Sequence, residues 1–353
     1  MRFLSLFSGI EAASVAWHPL GWEAVAFSEI EKFPCQLLAQ RYPSTPNLGD
    51  VTLITEEQIA ALGPIDLVVF GSPCQDLSVA GKRKGLLNAS GTITRSGLFF
   101  NAINIFNWAR KHCGARYALW ENVPGAFSSN KGLDFASVVS LMAGLDDVEP
   151  PKHGWGSEGV ALGDNGLLEW AVLDAQWFGV AQRRRRVFAL LDTGDWASRP
   201  PILLEPHGMR GNTPPSRDAR AGSTDGTKVG FDVSHALLAS SSRRLDFTAE
   251  TYVYGIPGNW IGRAPGNGGN ATEPMVGISP CLTSTDRHAA CSPSAIRRLL
   301  AVEWERLQGF PDNYTLISDK TADGPRYKAL GNSMAVPVMR WIGERIDLAN
   351  LFS

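Results

Sequence analysis

A doubly wound α/β fold with a mostly parallel sheet, accompanied by a smaller loop-rich domain, is predicted by three features of the sequence. Apolar strand-like runs alternate with helix-like segments through the first 192 residues, the pattern of a parallel sheet with helices on both faces. Several of those runs stop abruptly at Gly, Pro or a charged residue, where an open α/β sheet builds its site. From about residue 193 to 294 the texture changes to Gly, Pro, Ser, Thr and Asn, which predicts loops and short strands.

The elements follow in order. Residues 3–7 read as a first strand, not as a signal peptide, since no long apolar core or small-residue cleavage site follows. A helix over 11–17 opens after Gly9. Residues 24–27 form a second strand ended by Ser28 and Glu29, and a helix over 33–41 stops at Pro43. Residues 66–70 are a buried strand cut off by Gly71-Ser72-Pro73, which delivers Cys74 to the sheet edge. An amphipathic helix spans 98–112, with strands at 117–120 and 187–191. After the loop-rich stretch, a helix-like run covers 295–310, bounded by Ser294 and by Gly309 and Pro311, and a last helix covers 337–348. The expected boundaries are 1–192, 193–319 with a variable core at 193–294, and 320–353.

The bulk properties narrow the function. A formal net charge of -2 argues against a protein coated in positive charge, yet leaves room for a local basic cleft. The five cysteines form no CxxC pair, which points away from zinc and disulfides and towards a reducing compartment. No apolar stretch is long enough to cross a bilayer.

Chemistry gathers at the strand ends. Phe7-Ser8-Gly9-Ile10 forms a strand-to-helix turn able to cradle a nucleotide cofactor, though without the GxGxxG of a dinucleotide site, which disfavours a nicotinamide dehydrogenase. Glu29 stands where a carboxylate can accept from both hydroxyls of a ribose, and Asp50-Val51 could end a third strand and face an adenine. Cys74 is a strand-end thiol, and Glu121 in Trp120-Glu121-Asn122-Val123 puts a carboxyl at the same edge. In Gln182-Arg183-Arg184-Arg185-Arg186, strand alternation places Arg184 and Arg186 on one face and Arg183 and Arg185 on the other. Lys82, Arg83 and Lys84, between Gly81 and Gly85, suggest a loop that closes over an anionic polymer.

Together these segments resemble the cytosine-C5 DNA methyltransferases. The parts come in the family's order: Phe7-Ser8-Gly9, Pro73-Cys74-Gln75, Glu121-Asn122-Val123, Gln182 to Arg186, Arg306 to Asp312, and Gly331-Asn332-Ser333. The resemblance implies a Rossmann-like fold with S-adenosylmethionine as cofactor, held by Phe7, Ser8, Gly9, Ile10, Glu29, Ile30, Asp50, Val51, Pro73, Leu98, Asn332 and Ser333. The chain departs from the family at Glu11 and Ala12, where glycines are common, so the methionine end should be contacted differently.

The resemblance further implies Cys74 as nucleophile at C6 of cytosine, Glu121 as the acid at its N3 edge, and Arg186 at its O2 with Arg184 beside it. The target base must be flipped out of duplex DNA, with the loop from Ser78 to Gly85 closing over it. The resemblance implies that 1–192 is the catalytic and cofactor-binding domain, 193–319 the target-recognition domain and 320–353 a segment returning to the first domain. Recognition falls to residues 193–294, with Arg210, Arg217, Arg220, Arg243, Arg244, Arg263 and Arg287 as candidate readers. A monomer in the cytoplasm of a prokaryotic cell or phage-infected host is expected, with functional pairing to a restriction nuclease open. An RNA cytosine-C5 methyltransferase and a non-catalytic DNA-binding relative are the competing readings.

Overall fold

The computed structural model describes residues 1–72, 95–205, 254–256, 275–276, 278–282, 288–292 and 295–352. Pro73, Cys74, Ser78, Lys82, Arg83 and Lys84 lie outside the described residues, as do all seven candidate reader arginines.

A seven-stranded sheet carries the fold, in the order β2-β1-β3-β4-β7-β6-β5. Its strands are β1 (Arg2–Leu6), β2 (Glu23–Ser28), β3 (Leu67–Phe70), β4 (Tyr117–Asn122), β5 (Glu158–Gly163), β6 (Gly166–Asp174) and β7 (Arg185–Asp192). β1 to β4 pair in parallel. β7, β6 and β5 add on in antiparallel fashion. The strand-helix alternation reveals the first half. The β5-β6 hairpin is not anticipated, although its two-residue turn Asp164-Asn165 sits between paired glycines. Gly166 is obligatory there: φ is +132, and a Cβ would lie 2.1 Å from the Asp192 carbonyl oxygen.

β3 is apolar at every position, and β1, β2 and β4 are largely so, because both faces of the sheet are covered. Phe3, Leu67 and Val69 face one core, against Trp17, Met339 and Ile342. Leu4, Val68 and Phe70 face the other, against Phe99, Phe106 and Phe135. Helices α1 (Ala12–Trp17) and α8 (Val336–Asn350) close the first face, and α4 (Arg95–Cys113) and α5 (Leu133–Ala143) the second; α2 is Lys32–Arg41 and α3 Glu56–Ala60. The carboxyl-terminal helix is tied to the start of the chain. The Trp17 indole donates to the Met339 carbonyl at 2.6 Å, and the Tyr117 hydroxyl to Asn350 at 2.7 Å.

A second, four-stranded sheet has the order β11-β10-β8-β9, from β8 (Tyr254–Ile256), β9 (Met275–Val276), β10 (Ala289–Ser292) and β11 (Ala295–Arg298). It corrects the expected helix over 295–310. Residues 295–298 pair antiparallel with β10, and the helix α6 (Ala301–Gln308) begins only after Leu300, whose N–H is accepted by Glu303. A neighbouring strand overrides a weak local preference here. α6 ends at Gly309, φ +81, as its Gly and Pro signals predict. α7 (Asp323–Asn332) then leads to Ser333.

Candidate active site

The site lies at the carboxyl edge of β1 to β4. The first turn holds three residues in the left-handed region at alternate positions, with φ of 53 at Phe7, 54 at Gly9 and 63 at Glu11. For the two with side chains this costs roughly 1–2 kcal/mol each. Hydrogen bonds hold the turn: Ser8 N–H to the Ser28 carbonyl at 3.1 Å, and Glu11 N–H to the Ser8 carbonyl at 2.9 Å. The Glu29 carboxylate accepts from the Gly9 N–H at 2.8 Å and, on its other oxygen, from the Ile30 and Glu31 N–H groups. Three of its roughly four acceptor positions are thereby used, and one remains.

The Ser28 hydroxyl reaches the Gly49 carbonyl at 2.7 Å, which brings the Asp50-Val51 turn against the end of β2. That turn is not a strand end: Asp50 accepts from the Thr52 N–H and hydroxyl, and Val51 is buried. Ile30 is exposed, Leu98 is half-buried on α4, and Ile10 is fully buried, its carbonyl taking the Tyr314 hydroxyl at 2.8 Å. A cavity opens above the turn. Phe7, Gly9 and Glu11 line it from below, Gly71 and Glu121 from the side, and Asn332 and Ser333 from the end of α7. Beside Gly9 a Cβ would meet nothing within 4 Å, so the backbone is bare to the cavity. This set fits an adenosine cofactor: bare backbone, an aromatic ring, and a carboxylate with spare acceptor capacity.

The chain enters the Pro-Cys-Gln segment under tight control. The buried Trp120 indole donates to the Ser72 hydroxyl at 3.0 Å, and the Asn122 amide to the Ser72 carbonyl at 3.1 Å. Gly71 lies so close to β4 that a Cβ would stand 3.4 Å from a Glu121 carboxylate oxygen. The Trp120 and Asn122 contacts are not read from sequence, since both residues look like ordinary continuation of a strand. Glu121 sits 3.2 Å from the Arg186 Nε. Burial raises its carboxyl above the ordinary range, with Arg186 and then Arg184 opposing. Arg184 and Arg186 do point inward while Arg183 and Arg185 are exposed.

Arg184 lies near Arg186 and Glu121 and also ties distant backbone to the sheet. Its side chain is buried, and its guanidinium donates to the carbonyls of Leu282, Gly331 and Ser333 at 2.9, 3.1 and 2.7 Å. Burial, then Arg186, pulls it down to about 10. It is a positioning residue that binds the segment at 278–282 and the end of α7 to the catalytic sheet.

An α/β architecture with an acid, an arginine and a glycine-turn cavity at one sheet edge is thus defined. The family model of the C-5 cytosine-specific DNA methylases matches residues 1–197 and 247–347, and the chain belongs to that family. S-adenosylmethionine is accordingly its cofactor and DNA cytosine its substrate. The type II methyltransferase M.HpaII of Haemophilus parainfluenzae is 29% identical, over 99% of this chain and 90% of its own. A DNA N-6-adenine-methyltransferase of Escherichia phage P1 is 32% identical over 98% of this chain, which spans 61% of the phage protein. In fold, the chain is similar to the Dnmt2 methyltransferase of S. pombe, with TM-score 0.57, 17% identity and 98% of each chain covered. Among the described residues no helix is long and apolar enough to cross a membrane.

Proposed function

We propose that the chain methylates a cytosine flipped out of duplex DNA, through a transient bond between Cys74 and C6 of the base. The observation that carries this reading is the Glu121–Arg186 pair, at 3.2 Å, beside the point where Ser72 leads into Pro73-Cys74-Gln75. Cys74 follows Ser72 by two residues, so chain length alone keeps their Cα atoms within about 7 Å.

The chemistry follows from the ring. Cytosine C5 is a poor nucleophile until a thiolate adds at C6, which pushes electrons through the ring to C5. Glu121, its proton held tightly by burial, bonds the N3 edge and donates as negative charge develops. Arg186 holds both Glu121 and the O2 side of the base. Held over Phe7 to Ile10, S-adenosylmethionine would supply C5 with an electrophilic methyl on sulfur, the thioether being its leaving group. Transfer of the C5 proton to a water, cleavage of the C6–sulfur bond and return of the N3 proton to Glu121 then restore the aromatic ring, the thiolate and the acid.

The cofactor is read as lying over Phe7, Ser8, Gly9 and Ile10, with Glu29 at its ribose, Asp50 and Val51 near its base, and Asn332 and Ser333 closing the pocket. Residues 193–319 are read as the target-recognition domain, 1–192 as catalytic and 320–353 as the returning segment. We read the enzyme as a cytoplasmic monomer, with pairing to a restriction nuclease left open.

DNA bearing 5-fluorocytosine tests the mechanism, because C5 then has no proton to lose. With S-adenosylmethionine present, the wild-type chain should become covalently trapped at its target and Cys74→Ala should not. Product analysis should find 5-methylcytosine in duplex DNA. Trapping that survives in Cys74→Ala, or methylation only of RNA or of adenine, overturns the reading.

A further inference from the structure

One acid in the cavity takes no part in the chemistry above. Glu11 is 1% exposed and lines the same cavity as Phe7, Gly9, Asn332 and Ser333. One carboxylate oxygen accepts from the Ser14 N–H at 3.1 Å and hydroxyl at 3.0 Å, the other from the Ser5 hydroxyl at 2.9 Å. These partners are all neutral. The ionised group offers about four acceptor positions, so one stays open on the oxygen that meets Ser5.

Among the described residues, none that approaches Glu11 is a cation. Ser5 on β1 and Ser14 on α1 approach directly. Tyr42 beyond α2 and Tyr314 beyond α6 lie near, with their hydroxyls 3.1 Å apart. Burial pushes Tyr42 up to about 12 and Tyr314 higher still, so both stay neutral. Arg41 is engaged with the carbonyls of Asn313 and Tyr314. Across the cavity Glu121 is paired with Arg186. Burial consequently raises the Glu11 carboxyl to about 7, although Ser5 and Ser14 lower it in part. The residue also holds φ +63, a conformation a glycine would adopt freely. A buried acid with no cationic partner among the described residues, held at a left-handed position and lining this cavity, is suited to a cationic ligand.

We propose that Glu11 receives the ammonium of the methionine moiety of S-adenosylmethionine and positions that end of the cofactor. The inference rests on reading this cavity as the cofactor site. It predicts that ligand binding draws a proton off Glu11, because a neighbouring cation favours the ionised carboxylate.

Calorimetry with two ligands that cannot react separates the outcomes. S-adenosylhomocysteine carries the ammonium, and 5′-methylthioadenosine lacks the whole amino-acid portion. Glu11→Gln, which is isosteric, and Glu11→Gly, which suits the backbone, should each weaken S-adenosylhomocysteine by roughly 10- to 100-fold, the worth of a hydrogen bond to a charged group. Both variants should bind methylthioadenosine as wild type does. At about pH 6.5, below the folded value near 7, binding of S-adenosylhomocysteine should release protons from wild type and none from Glu11→Gln. Unchanged affinity, equal weakening of both ligands, or no proton release by wild type overturns the role of Glu11 while leaving the cofactor site in place. Failure of wild type to bind S-adenosylhomocysteine overturns the cofactor site itself.

Discussion

The two ends of β4 treat buried charge in opposite ways. At its start, Tyr117 pairs with Asp192, and there every carboxylate is matched. Asp192 accepts from Arg116 at 2.7 Å and Arg199 at 2.6 Å, while Glu169 accepts from Arg199 at 2.7 Å and from the Ile202 and Leu203 N–H groups. Burial pushes the Asp192 carboxyl up, but the bonds from Arg116 and Arg199 outweigh it and hold the group below its ordinary value. At the other end, Glu121 has one arginine at 3.2 Å and is raised by burial. Glu11, across the cavity, has no cationic partner among the described residues and is raised to about 7. Pairing makes the first edge a clamp on the chain leaving β7. At the second, incomplete pairing leaves burial to raise both carboxyls, Glu11 to about 7.

The largest effect should come from Glu121→Gln. It keeps the shape of the side chain and removes the proton donor. Turnover should fall by ~10²- to 10⁴-fold, the range for a lost general acid, with duplex DNA binding retained. Single-turnover methyl transfer measures this, and near-normal rates would remove Glu121 from the chemistry.

Arg199→Met attacks the other edge. It strands Glu169 and removes one of the two arginines at Asp192, both in buried surroundings. Stability should drop by about 3–5 kcal/mol in denaturant unfolding, the cost of breaking a buried ion pair from one side. Turnover per folded molecule should stay near wild type. A variant that is stable but inactive would show that the clamp serves the site directly.

Glu11→Gln tests the contrast through pH. The folded chain binds this proton more tightly than the unfolded one, about 7 against the ordinary 4.5. Its contribution to stability is therefore complete below about 4.5 and is lost as pH rises through about 7. Relative to wild type, the variant should gain roughly 3 kcal/mol between pH 4.5 and 8, from about 1.4 kcal/mol for each pH unit crossed. A difference that does not change with pH would mean that Glu11 is ionised throughout.

How much of this was legible depended on whether a residue's partners are local. Strand ends, Gly9, Glu29, Glu121 and the alternation of Arg184 with Arg186 follow from short patterns, and the structure puts them at one edge. The backbone partners of Arg184, at Leu282, Gly331 and Ser333, are not legible because they lie about 100 to 150 residues away along the chain. The same holds for the strand at 295–298, which is decided by its pairing with β10. Glu11 stood out as a non-glycine in a turn, but its burial came only with the packing of α7 and α8 around the cavity.

The smallest effect concerns the approach to Cys74. Ser72→Ala takes the hydrogen-bond acceptor from the Trp120 indole, which is fully buried. Leaving such a donor unpaired should cost about 1–3 kcal/mol of stability. The backbone carbonyl of Ser72 is untouched, so the Asn122 amide still fixes the chain at 3.1 Å. Methyl transfer should therefore fall by less than about tenfold, a smaller penalty than a lost acid. Asn122→Ala, which frees that carbonyl, should cost more in rate than Ser72→Ala does. If instead Ser72→Ala alone removes about a hundredfold or more, the hydroxyl belongs to the reacting groups, and the division between holding the chain and doing the chemistry at this edge is wrong.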